Sequence, residues 1–283
     1  MKIGIGIPNQ VRNVRPEIIP QWAARAEEAG FSTLSTVGRL AFPGVMDTVA
    51  LAAAAGATSR IGLFSGILLG PVWPARLLAK EVAGIDGVSG GRLTLGLGIG
   101  GRPDDFVVEG RPNKGLGKRI DADLEIYRSV WRGEPFGGGE SPAVPPGTRE
   151  VPLIFGGQSA QAFARMARWG RGLVGGSAPA QFVSPAFEGA RAAWQEAGRE
   201  GSPYLVGLNY FALGDPDAGR AAIADYYAFS GPYGEIVVSG VRTTAESIKQ
   251  TIAEYEEIGA DELMLNPGVA DLDEIARLAE IVF

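Results

Sequence analysis

Two hydrophobic periods take turns along the chain. Ile3, Ile5 and Ile7 stand at every second position, the spacing of a strand, and Pro8-Asn9-Gln10 ends it. Ile18, Trp22, Ala26 and Ala29 then fall on one face of a helix over residues 17–29, with Pro20 accommodated in its first turn and Gly30 as its stop. The exchange repeats. Strands are predicted over 33–37, 61–69, 151–155, 173–174, 204–213 and 262–265, and helices over 45–58, 73–88, 118–131, 159–169, 184–197, 216–229 and 243–258. Ser184 and Pro185 read as cap and first-turn proline, Asp215-Pro216 opens the next helix, and Thr243 with Glu246 reads as a capping box. Asp271 and Glu274 open a last helix.

The remaining strand lies between Gly90 and Gly101, where Leu93, Leu95, Leu97 and Ile99 alternate with Thr94, Gly96 and Gly98. This suits an inner strand covered by helices, ending in residues without a Cβ where a flat or anionic ligand can approach the backbone. The spacing Gly96, Gly98, Gly101 imitates a dinucleotide fingerprint, which needs a helix directly after the glycines and an acidic residue about 20 positions on. Arg102-Pro103-Asp104-Asp105 follows instead, and Pro103 disfavours helix at the residue before it. That reading is rejected.

Eight strands, each followed by a helix, predict an α/β fold, a single (β/α)8 (TIM) barrel over residues 1–283. A barrel of about 250 residues is one domain. A doubly wound sheet is the alternative topology. Segments 100–117, 133–150 and 230–242 exceed ordinary connections of about 2–6 residues. The glycine- and proline-rich segment 133–150 joins a helix to a strand, so in a barrel it lies opposite the chemistry. The other two are expected to be mobile covers over a pocket.

Composition narrows the function. With 26 basic and 32 acidic residues and no basic run, the net charge of −6 offers little to nucleic acid or an anionic membrane. The N-terminus has too short an apolar run for a signal peptide, no stretch approaches about 18 apolar residues, and the expected location is cytoplasmic. Cysteine and histidine are both absent, which removes thiolate chemistry and the commonest general base. None of the five lysines lies in or directly after a strand, and no carboxylate and histidine cluster suggests a metal. A barrel so short of acids and bases at its strand ends borrows its chemistry from an organic cofactor.

The strand ends supply a place for one. Gly156-Gly157-Gln158-Ser159 puts two glycines and a helix-capping serine toward an anion, and Gly175-Gly176-Ser177 repeats the feature on the next strand. Spacing alone fits an ordinary tight turn equally well. Gly98, Gly100 and Gly101 complete the expected cofactor-binding set. Asn9 and Arg102 stand at strand ends, and with Phe42, Trp73 and Phe106 they form the expected substrate pocket.

Here the sequence resembles a family. Thr58-Ser59-Arg60-Ile61-Gly62-Leu63, Leu78-Ala79-Lys80-Glu81, the stretch from Ser89 to Gly98 and Pro152-Leu153-Ile154-Phe155-Gly156-Gly157 are similar to the bacterial luciferase-like flavin-dependent oxidoreductases. The resemblance implies a (β/α)8 barrel, commonly a homodimer, that binds FMN or the deazaflavin coenzyme F420. Its flavin-using members receive reduced FMN, which a separate flavin reductase can supply, and oxygenate a small-molecule substrate with dioxygen. Its deazaflavin members move a hydride without oxygen. The resemblance also implies a bulge with a non-prolyl cis peptide at Gly66-Ile67, behind the cofactor ring. Many members carry a histidine after the second strand, whereas this chain reads Val37-Gly38-Arg39-Leu40. Arg39, always cationic, cannot be a base, and is assigned to holding an anionic substrate or negative charge on a reduced ring. Three functions are open: an FMN-dependent monooxygenase, a deazaflavin-dependent reductase or dehydrogenase, and a cofactor-free barrel for a small phosphorylated ligand.

Overall fold

Strand and helix alternate from end to end of the chain. The computed structural model describes residues 1–107, 110, 113–135 and 137–283, so residues 108, 109, 111, 112 and 136 of the expected excursions lie outside the described residues. The elements are β1 (Lys2–Gly6), α1 (Ile18–Ala29), β2 (Thr33–Thr36), α2 (Asp47–Ala57), β3 (Gly62–Ser65), β4 (Leu68–Leu69), α3 (Ala75–Val88), β5 (Leu93–Gly98), α4 (Pro103–Val107), α5 (Leu116–Trp131) and β6 (Leu153–Gly156). They continue with α6 (Ala160–Trp169), β7 (Gly172–Ser177), α7 (Ala180–Glu196), β8 (Tyr204–Phe211), α8 (Pro216–Tyr226), α9 (Pro232–Ser239), α10 (Ala245–Glu257), β9 (Glu262–Pro267) and α11 (Asp273–Val282).

The strands run in the order β3-β2-β1-β9-β8-β7-β6-β5, and β3 pairs with β5 to close the ring. Every pairing between them is parallel, so the sheet is a closed eight-stranded barrel and the doubly wound alternative is set aside. β3 and β4 are two halves of one barrel strand, both paired with β5 and separated at Gly66-Ile67. That peptide bond is cis, as the resemblance implies.

Alternation along the strands divides the core in two. Leu93, Leu95 and Leu97 of β5 face outward, into a large cluster shared with helix residues such as Trp22, Leu78, Tyr127 and Phe187. Phe64, Ile154, Val206 and Met264 fill the barrel interior. Gly96 is the counterpart of that filling, because a Cβ there would overlap the Ser65 carbonyl oxygen and crowd the Phe64 ring. The glycines interleaved with leucines in β5 therefore serve interior packing first.

Four expectations need correction. Segment 100–117 contains a short helix, α4, which opens on Pro103 because the first helical position needs no amide hydrogen. Segment 230–242 contains α9. α7 begins at Ala180 after Pro179, not at Ser184, and carries Pro185 inside it. The capping box is formed by Thr244 and Ser247: Thr244 Oγ1 accepts from the Ser247 amide and Ser247 Oγ from the Thr244 amide, each at 3.2 Å. Thr243 is taken out of that role because its hydroxyl receives Arg220 at 3.1 Å. Among the described residues no helix is long and apolar enough to cross a membrane.

Candidate functional site

The carboxyl ends of the strands surround a cavity of about 390 Å³. Val37 after β2, Ile67 between β3 and β4, Val174 of β7 and Leu208 of β8 give it an apolar floor. Glycines 66, 101, 156, 157, 175 and 176 form much of its wall. Its rim carries Arg102, Asp105, Gln158 and Ser177, and an aromatic group of Tyr226, Tyr227, Phe229 and Tyr233 from the end of α8 through the start of α9.

Several wall glycines have a packing partner. Ile67 Cδ1 occupies the space where Cβ atoms of Gly98 and Gly156 would stand. Gly98 is thus explained by Ile67 rather than by a ligand, and it is not among the cavity-lining residues. Gly100 has φ +75°, and a Cβ on it would lie 3.2 Å from the Phe106 ring. Gly101 faces open space. A Cβ on Gly176 would press on the Tyr233 hydroxyl at 2.5 Å, and one on Gly175 would strike Val183 of α7.

A second groove of about 520 Å³ shares Gly156, Gly157 and Gln158 with the cavity and continues past Ser159 to Arg165. Ser159 caps α6, accepting from the Ala162 amide at 3.2 Å, and Gly157 turns the chain into it at φ +135°. Arg165 holds Asp121 through two N–H groups at 2.6 and 3.2 Å. One elongated ligand can therefore run from the floor of the barrel to a helix N-terminus.

The expected catalytic and substrate residues divide. Arg102 borders the cavity. Arg39 does not: it donates to Asp104 Oδ2 at 2.7 Å and to the Tyr226 carbonyl at 3.3 Å, and its guanidinium lies over Phe42, 5.1 Å from the ring centroid. It clamps the loop after β2 to α4 and to the end of α8, so its charge is already matched. Phe42 packs edge-on against Tyr226 at 5.0 Å, outside the cavity. Asn9 is a wall brace, donating to the carbonyls of Val37 at 2.9 Å and Val45 at 3.0 Å and accepting from the Val37 amide at 3.2 Å. Phe106 is buried beside Gly100, and Trp73 packs against the outer core.

Sequence reasoning missed three features. The aromatic rim was hidden because residues 216–229 read as one helix, although the cluster Tyr226-Tyr227-x-Phe229 at the end of that helix was its visible signal. Asp105 is fully buried, with Oδ1 accepting from the amides of Leu40 at 3.0 Å and Ala41 at 2.8 Å. Asp47, the first residue of α2, lies against Gly38, where any Cβ would meet its Oδ2 at 2.5 Å. Burial pushes the Asp47 carboxyl up to about 6, against a hydrogen bond from the Thr48 amide. Burial also raises the phenols of Tyr226 and Tyr227, so both stay protonated, and the Tyr227 hydroxyl lies 3.3 Å from that of Tyr210.

A closed parallel barrel with a glycine-walled, cation-bearing mouth places a candidate small-molecule site at the end where such barrels carry their sites. Residues 1–265 match the model of the luciferase-like monooxygenases, and the chain belongs to that family. An uncharacterized protein of Mycobacterium tuberculosis is 29% identical over 186 residues, 56% of this chain and 65% of that protein. The chain thus spans somewhat less than two thirds of the curated relative it matches. A coenzyme F420-dependent secondary alcohol dehydrogenase, solved with an F420-acetone adduct, shares the fold with a TM-score of 0.81 at 17% identity, over 99% of this chain and 98% of that one. The monooxygenase RslO1 from Streptomyces bottropensis does so with a TM-score of 0.78 at 20% identity, over 99% and 97% of the two chains.

Proposed function

We propose that this chain is an oxidoreductase that seats a flavin-type ring on Ile67 and uses reduced FMN with dioxygen to oxygenate a small organic substrate. The observation that carries this reading is the continuity of the apolar cavity with the groove at the N-terminus of α6. A flat ring joined to a phosphorylated tail has that shape and polarity. Val37, Ile67, Val174 and Leu208 would support the ring, while Gly157, Gln158 and Ser159 would present backbone amides to the phosphate beside Arg165. When bound, reduced FMN would supply the electrons that activate dioxygen, and a deazaflavin would supply a hydride.

The chain's own residues do the rest. Tyr226, Tyr227, Phe229 and Tyr233 cover the cavity and exclude water from it. Asp47 stands behind the wall at Gly38, outside the cavity lining, with its carboxyl raised to about 6 by burial, and is the candidate for the acid–base place that a histidine would fill. Deazaflavin chemistry is the second reading, favoured by the fold shared with the secondary alcohol dehydrogenase. In the FMN reading the working unit is a homodimer fed by a separate flavin reductase.

Titration with FMN, reduced FMN and the deazaflavin, followed by ring fluorescence, tests the assignment. Saturable quenching by FMN with oxygen-dependent turnover supports the first reading, and binding of the deazaflavin alone supports the second. Binding of neither would overturn both and leave a barrel for a phosphorylated ligand.

A further inference from the structure

The inference drawn from Arg102 rests on the barrel mouth being the reactive site. The residue is 8% exposed and borders the cavity. Its guanidinium lies 3.6 Å from the Phe229 ring centroid and 4.8 Å from that of Tyr226, which fixes the plane of its fork. Its Nη1 is buried without a hydrogen-bond partner. Among the described residues no carboxylate pairs with it: Asp104 is held by Arg39 at 2.7 Å, and Asp105 turns Oδ1 to two backbone amides.

Two arginines thus sit in one aromatic cluster with opposite fates. Arg39, although its Nε is also buried without a partner, has its charge matched by Asp104, whereas no described carboxylate matches Arg102, which is left for a ligand. A buried guanidinium with an unmet N–H is costly unless something anionic completes it. The floor below it is apolar, and the groove at α6 already offers amides to a cofactor phosphate. Asp105 Oδ2, buried and likewise unpartnered, lies on the same rim and disfavours a second negative group.

We propose that Arg102 anchors the single carboxylate of the substrate, so that the enzyme acts on monoanionic organic acids with an apolar body. A planar carboxylate suits the guanidinium fork, and the apolar body is placed over the floor where the ring would lie.

The probes are benzoate, phenylacetate and hexanoate, each against its neutral amide, bound to the full-length chain with and without FMN and followed by calorimetry. At least one acid should bind about tenfold more tightly than its amide, the scale of a charge-assisted hydrogen bond. R102Q should abolish that preference and leave amide affinity within about twofold. If R102Q loses both ligands, R102K decides: a retained acid preference supports the proposal, and its loss with amide binding intact overturns it. No acid preferred over its amide in the wild type, or a preference that survives R102Q, also overturns it. A loss of FMN but not riboflavin affinity in R102Q would assign Arg102 to the cofactor phosphate and overturn the substrate assignment. Acid preference in a chain that binds neither FMN nor deazaflavin would leave this inference standing and remove the cofactor reading.

Discussion

At single positions in the mouth of the barrel, what fills the space of a missing side chain separates structural from functional glycines. Ile67 fills it for Gly98 and Gly156, Asp47 for Gly38 and Tyr233 for Gly176, while Gly101 opens onto the cavity. Gly157 differs again, because φ +135° excludes most side chains and a Cβ would lie 2.7 Å from that of Ala162. Gly157→Val should therefore disturb the start of α6 and weaken FMN about tenfold or more, the loss of roughly one charge-assisted bond, while riboflavin binding changes little. Equal losses in parallel titrations would place the phosphate elsewhere. Asp47 gives a pH test. Its folded pKa of about 6 lies above the ordinary value of 3.8, so the proton is held more tightly in the fold than in the unfolded chain. The stability this provides is complete below about pH 4 and lost as pH rises through 6. Asp47→Asn should match the wild type in urea at about pH 3, below both values, and exceed it by up to about 3 kcal/mol at about pH 8. A difference that does not vary with pH would show that the carboxyl is ionised throughout.

Among the elements, periodicity located helices and strands well, and local cap chemistry located their ends less well. The Gly30 stop and the Asp215-Pro216 start stand where the sequence puts them, because a left-handed C-cap and a capping aspartate are local matters. Ser184-Pro185 misled because the same pair can sit within a helix when packing holds it. Val183 and Phe187, both fully buried, bracket the proline and hold α7 against the core. Thr243 and Thr244 differ by one position and only tertiary contacts separate them. Thr244→Ala should cost about 1 kcal/mol by denaturant midpoint. Thr243→Ala, which removes only a bond on the exposed surface, should cost less than about 0.5 kcal/mol. The two segments after β5 and β8 contribute α4 and α9 to the rim, and amide exchange should slow in residues 101–106 and 230–240 when FMN is added. Strong, equal protection of both in the free protein would count against their closing over a ligand.

For the molecule as a whole, closure depends on β3 meeting β5 around a filled interior. Phe64 is 2% exposed and packs with Ile154, Val206 and Met264, so Phe64→Ala should cost about 3–5 kcal/mol in equilibrium unfolding. A cost below about 1 kcal/mol would show that the interior collapses onto the gap. On the outer surface, Val49 of α2 and Leu77 and Val88 of α3 are exposed apolar side chains at 57%, 53% and 66%. A homodimer through these helices should sediment at twice the 29.6 kDa chain mass, and Leu77→Glu should shift it to monomer.

The sequence by itself determined the eight barrel strands and their alternation with helices, α4 and α9 excepted, the parallel barrel that this order requires, and the glycine-rich carboxyl ends of the strands. These follow from periods and turn residues, which act over a few positions. It also determined the lack of histidine and cysteine, from which the expectation of a borrowed organic cofactor came. Only the tertiary structure decided which polar residue does what there. Arg39 and Arg102 read alike as cations after strands, yet only the first is paired with a described carboxylate, because α4 brings Asp104 to Arg39 while the segment after α8 lays Phe229 over Arg102. Asp47 and Gly38 are nine residues apart and carry no shared pattern, and they meet because the chain turns back after β2 to begin α2. Such pairings depend on chain segments that approach only when the barrel closes, and no local rule of spacing contains them.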